Sequence, residues 1–89
     1  MSRKLSLTGD ADRFLERLDA KQYRQVVRRI FALAADVAPP DSARLAGSSL
    51  RRVDQGEYRI AYSFDTDTVF IIVIGKPNDD EVYAKLSRK

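Results

Sequence analysis

The 89-residue sequence contains no cysteine, no histidine and no tryptophan. Without cysteine there is no disulfide and no thiolate metal site, and secretion is not suggested. Without histidine, Ser-His-Asp and Cys-His nucleophilic machinery is excluded, along with the common His-bearing zinc sites. Long apolar runs are also missing. The longest, Val69 to Ile74, is far too short to span a bilayer, and "MSRKLSLTGD" at the start has no signal-peptide core. A cytoplasmic protein with no membrane association is therefore expected.

An all-carboxylate magnesium site is the one metal option left, but the acidic residues fall mostly in turns and helix starts. No metal and no cofactor are expected. Any catalysis must then use arginine, lysine, tyrosine or carboxylates.

What is present fits one small domain over residues 1–89. Apolar residues make up 44% of the chain, enough for a single core, and there are no repeats or low-complexity tracts. The net charge of +3 suits an anionic partner such as RNA, DNA or an acidic protein segment; it equally suits a solvated surface.

"RKLSL" alternates polar and apolar residues and reads as a strand. Asp10 or Asp12 can cap a first helix over roughly Ala11 to Leu18, with Phe14, Leu15 and Leu18 at helical spacing. A longer helix from about Ala20 to Val37 carries the stripe Tyr23, Val26, Val27, Ile30, Leu33, Ala34 and Val37. Lys21, Arg24 and Arg28 line another face, and Pro39-Pro40 stops the helix. The two helices form a hairpin.

Beyond Gly47 the period changes to two. "LRRVD" (Leu50 to Asp54), "YRIAYSF" (Tyr58 to Phe64) and "VFIIVI" (Val69 to Ile74) read as strands joined by "DQGE" and "DTDT" turns. The last is apolar on both faces and belongs inside a sheet. In "NDDE", Asn78 is an N-cap, Glu81 completes the capping arrangement, and Asp79 and Asp80 suit a helix start. The expected class is α+β, in the order β-α-α-β-β-β. A helical hairpin covers a twisted, mainly antiparallel sheet, and a short helix closes the chain.

Tyr58, Ile60, Tyr62 and Phe64 share one strand face, so Arg59 points the other way. If the tyrosine row packs under the helices, Arg59 lies on the open face beside Arg51 or Arg52. Lys76 and Tyr83 then border the same hollow, which suits a phosphodiester. The alternative is that Arg59 pairs with a carboxylate such as Glu57 or Asp65, with Tyr83 an ordinary core edge.

The stretches "LAGSSLRRVDQGEYRIAY" and "VIGKPNDDEVYAKL" make the chain resemble the RelE/ParE superfamily of bacterial toxins, most closely its RelE branch of mRNA interferases. That group shows "G-[DE]-YR-[IV]-x-Y" and then "GKRxxxxVY" or a close variant. The likeness is specific in the C-terminal half and architectural in the N-terminal half. It implies a ribosome-dependent endoribonuclease that cuts translated mRNA, paired with a neutralising antitoxin. It also implies a toxin–antitoxin hetero-oligomer that binds operator DNA through the antitoxin.

Carried over by position, the resemblance places Arg59 at the scissile phosphate, with Arg51 or Arg52 beside it in the basic strand. Tyr83 becomes the base or a stacking platform, and Lys76 shares either duty. Lys85 joins Arg51, Arg52 and Lys76 as an RNA-binding cation. Pro77 replaces the family's usual arginine, which removes one cation from the expected phosphate site. Two other readings remain: a ParE-like DNA gyrase poison without RNA cleavage, and a non-catalytic toxin that only binds its antitoxin.

Overall fold

The computed structural model describes residues 2–45 and 48–76. The order is β1 (Lys4–Leu7), α1 (Gly9–Glu16), α2 (Ala20–Ala35), β2 (Ala43–Arg44), β3 (Arg51–Gln55), β4 (Tyr58–Phe64) and β5 (Thr68–Gly75). The expected C-terminal helix lies outside the described residues.

The strands form one mixed sheet in the order β1-β5-β4-β3-β2. β2–β3, β3–β4 and β4–β5 are antiparallel, and β1 runs parallel to β5. The all-apolar β5 is an interior strand, as its sequence requires, although β4 holds the middle position. The α+β class and the helical hairpin on the sheet stand as expected, with β2 as an addition.

Both helices start on side-chain caps. Thr8 Oγ1 accepts from the Ala11 N–H at 3.1 Å, so the first cap is Thr8 and not Asp10 or Asp12. Threonine, held in extended backbone by β1, reaches the orphan amides first, and the two aspartates fall inside the first turn, where they suit the dipole. Asp19 caps α2 through the Gln22 N–H at 2.8 Å. That helix ends at Ala35, before the prolines, because Asp36 is already extended (φ −141°, ψ 102°).

The core lies between the hairpin and one sheet face. Phe14 and Leu15 of α1 and Val26, Ile30 and Leu33 of α2 pack on Val53, Tyr58, Ile60, Tyr62, Val69, Ile71 and Ile74. Tyr58 meets Phe14 edge-on, with ring centroids 5.5 Å apart, and its hydroxyl donates to Gln22 Oε1 at 3.0 Å. The buried Tyr62 hydroxyl donates to the Val37 carbonyl at 2.8 Å, tying the sheet to the segment after α2. Two members of expected rows fall outside this core. Tyr23 is 45% exposed at the edge of the α2 stripe, and Phe64 is exposed at the end of β4, where the Arg3 guanidinium lies 5.7 Å from its ring centroid.

A register shift in the β4–β5 pairing changes which β5 residues face the helices. Ala61 pairs with Val73 but Tyr62 pairs with Ile71, so Ile72 is an extra residue on β5. Val69, Ile71 and Ile74 face the hairpin, while Val73 and Ile72 join Leu45, Leu50 and Ala61 in a second cluster. This small apolar patch floors the sheet face opposite the helices.

Candidate functional site

The β3–β4 hairpin sets the geometry. Its turn residues are Gly56 and Glu57, and Gly56 has φ 59°, a conformation glycine adopts without a Cβ penalty. Counting outward, Gln55 pairs with Tyr58, Asp54 with Arg59, Val53 with Ile60, Arg52 with Ala61 and Arg51 with Tyr62. Directly opposed residues share a face. Arg52, Asp54 and Arg59 therefore stand together on the open face, next to the Leu45–Ala61–Val73 patch.

Arg51 is placed on the helix side with Tyr62, where its Nη2 donates to Ser42 Oγ at 2.8 Å. Of the two basic-strand residues, the fold brings Arg52 to Arg59 and takes Arg51 away.

Arg59 is held by a carboxylate that neither Glu57 nor Asp65 provides. Its Nε donates to Asp54 Oδ1 at 2.8 Å and its Nη2 to Asp54 Oδ2 at 3.2 Å, a two-bond pair between cross-strand neighbours. Arg52 Nη1 lies 4.0 Å from the same Oδ2. Hydrogen bonding from Arg59 holds the Asp54 carboxyl below the usual carboxylate range. Partial burial opposes the shift, and the charges of Arg59 and Arg52 add to it. The Arg59 side chain is 16% exposed against 46% for Asp54, so the acid is the outer member of the pair.

On β5, Gly75 pairs with Arg59 and brings no side chain of its own to that position. Lys76 follows at the same end of the sheet, with its ammonium 3.6 Å from Glu57 Oε1. Glu57 Oε2 accepts from Gln22 Nε2 at 3.3 Å, which orients that carboxylate toward α2. Arg52 and Arg59 thus flank one oxyanion, and Lys76 stands at the rim near them. Tyr83, Lys85 and Pro77 lie outside the described residues. Asp54 is the member of this group that the sequence reading did not single out; its signal is the two-residue turn, which fixes the register.

Two guanidiniums converging on one oxyanion form a receptor for a carboxylate or a phosphate, because the fork of N–H donors matches both. Among the described residues, no group of three or more His, Cys, Asp or Glu side chains could hold a metal ion.

A concave feature lies on the helical side. A groove of about 320 Å³ is walled by Leu5, Leu7, Leu15, Val27 and Phe31, with Tyr23 at its edge. Phe31 is 62% exposed. Among the described residues, no helix is long and apolar enough to cross a membrane.

The family model described as "ParE toxin of type II toxin-antitoxin system, parDE" matches residues 5–81. The chain belongs to this toxin family, within the RelE/ParE superfamily. No curated protein matches it in sequence.

Solved structures show the same fold at low identity. The RelBE2 toxin–antitoxin complex from Mycobacterium tuberculosis aligns with TM-score 0.75 at 22% identity, covering 85% of this chain and 99% of that one. The archaeal RelE–RelB complex from Pyrococcus horikoshii gives 0.75 at 21%, covering 85% and 96%. The isolated E. coli RelE toxin gives 0.74 at 20%, covering 98% and 97%.

Proposed function

We propose that this toxin is a metal-independent endoribonuclease that cleaves translated mRNA on the ribosome and so halts protein synthesis. The observation that carries this reading is the convergence of Arg52 and Arg59 on a single oxyanion at the open end of the sheet.

Internal RNA cleavage without metal requires the 2′-OH beside the scissile phosphate to lose its proton and attack. The leaving 5′-oxygen must gain a proton, and the pentacoordinate transition state carries extra negative charge. Arginine stays protonated and suits the charge-stabilising part, which falls to Arg59 with help from Arg52. Tyr83 is assigned the base or a stacking role and Lys76 a share in proton transfer, while Lys85 contacts the message backbone. Arg51, which pairs with Tyr62 on the helix side, is given no part in this assembly. No strong neutral-pH acid–base pair is present in this set. The ribosome therefore supplies much of the barrier reduction by orienting the message.

The partner is a cognate antitoxin, as the solved RelE complexes with RelB-type antitoxins suggest by analogy. The groove between the helices and β1, rimmed by Tyr23 and Phe31, suits the apolar side of an amphipathic antitoxin segment. Operator DNA is then bound through the antitoxin.

Inducing the toxin and mapping the 5′ ends of cellular messages tests the reading. Cuts within translated frames are expected, falling at least about a hundredfold in Arg59→Ala. The family match itself favours one other reading, a gyrase poison. Intact messages with DNA-damage signalling would decide for it.

A further inference from the structure

We propose that Asp54 is the resident occupant of the Arg52–Arg59 anion site and that a phosphodiester binds there by displacing its carboxylate. The inference rests on the reading of this site as the phosphate site and adds how the site is kept closed to stray RNA.

Four observations support it. The carboxylate engages Arg59 through two parallel N–H···O bonds, the fork that a phosphate would use. Its Oδ2 also lies 4.0 Å from Arg52 Nη1, so both guanidiniums stand within ion-pair reach of one carboxylate. Asp54 is the more exposed partner and stands on the solvent side of Arg59. Lastly, the hydrogen bonds and ion pairs of its side chain among the described residues go to these two arginines, so rotation about Cα–Cβ releases it to water.

The carboxyl is held below the ordinary carboxylate range, so it is anionic at neutral pH and competes whenever the site is empty. Arg52, Arg59 and Asp54 together carry a single net positive charge. A freely diffusing RNA phosphate must outcompete an anion tethered to the same hairpin, which has the advantage of a high effective concentration. A message fixed in place carries the same advantage and can displace it. The pair thereby keeps Arg59 ordered and selects for pre-positioned RNA.

The test uses the full chain and a short single-stranded RNA made uncleavable by 2′-deoxy substitution, with binding read by fluorescence anisotropy. Asp54→Asn should bind roughly three- to tenfold more tightly than wild type, as expected from removing one adjacent negative charge. The gain should vanish in Asp54→Asn/Arg59→Ala. A purely structural role for Asp54 predicts loss of binding, not gain, so equal or weaker binding by Asp54→Asn overturns the proposal.

A second measurement needs no variant. In wild type, the Asp54 carboxyl carbon followed by NMR should move to a solvent-like shift, with its pKa raised, when the oligonucleotide saturates; an unmoved signal at saturation also overturns it. Absence of message cleavage together with tighter binding by Asp54→Asn removes the nuclease reading and leaves the occupancy of the site standing.

Discussion

Asp54 and Arg59 face each other across the β3–β4 ladder, and their side chains close a two-bond ion pair at 2.8 and 3.2 Å. The pair depends on register as much as on charge. A shift of one residue along β3 would put Val53 or Gln55 opposite Arg59, and the arginine would lose its carboxylate.

That relationship has a pH signature. Asp54 has a lower pKa in the folded chain than the roughly 3.9 of a free aspartate, so the pair contributes stability that is fully present above the unfolded value. The contribution disappears as pH falls through the folded value. Asp41, paired with Arg29, and Asp65, which accepts the Asp67 and Thr68 N–H groups, shift in the same direction. Urea midpoints should be flat from neutrality to about pH 5 and decline below about pH 4. Asp54→Asn should show a shallower acid limb, and an unchanged limb would count against the ion pair.

Arg51 and Arg52 are adjacent in sequence but lie on opposite faces, so their substitutions should separate. Arg52→Ala should lower message cleavage by about tenfold or more while leaving the melting temperature nearly unchanged, since it removes a cation beside the phosphate. Arg51→Ala removes a part-buried donor to Ser42 and should cost about 1 kcal/mol of stability with activity retained. Paired thermal melts and cleavage assays read both effects, and loss of cleavage in a well-folded Arg51→Ala would contradict the assignment.

Gly56 tests the turn that fixes the register. With φ 59° and no neighbouring atom within 4 Å of an added Cβ, the penalty of Gly56→Ala is a backbone penalty and not a clash. A loss of about 1–2 kcal/mol is expected, measurable as a lower denaturation midpoint at unchanged m-value.

Tyr62→Phe isolates one buried hydrogen bond. The ring is fully buried and its hydroxyl donates to the Val37 carbonyl, which would be left with one partner fewer. Destabilisation of about 1 kcal/mol is expected by chemical denaturation. A neutral result would mean that solvent satisfies that carbonyl.

The hairpin helices and the β3–β4–β5 meander were legible because their periods, 3.6 and then 2, are sustained over many residues. The face assignment of Arg59 followed from the same alternation. Its carboxylate partner did not. The strand reading Leu50 to Asp54 includes Asp54, but "DQGE" as the turn leaves the register open; only the two-residue Gly56-Glu57 turn brings Asp54 opposite Arg59. β2, two residues inside a Pro- and Ser-rich segment, has no period to detect. The extra residue at Ile72 is equally silent, since Ile and Val satisfy either face. Cap preference alone favours Asp10 or Asp12 over Thr8, and what decides for Thr8 is where β1 ends.

Among the described residues, β1 is an edge strand whose neighbour in the sheet is β5, with Lys4 opposite Thr68 and Leu7 opposite Ile71. The first described strand thus waits for the last described one, and a nascent chain interrupted before β5 has no completed floor for its helices. An isolated β3–β4 ribbon is marginal in water, so the arginine pair gains a fixed geometry only when this end-to-end closure occurs. Truncation from the C-terminal side should therefore disarm the polypeptide well before it removes Arg59 itself.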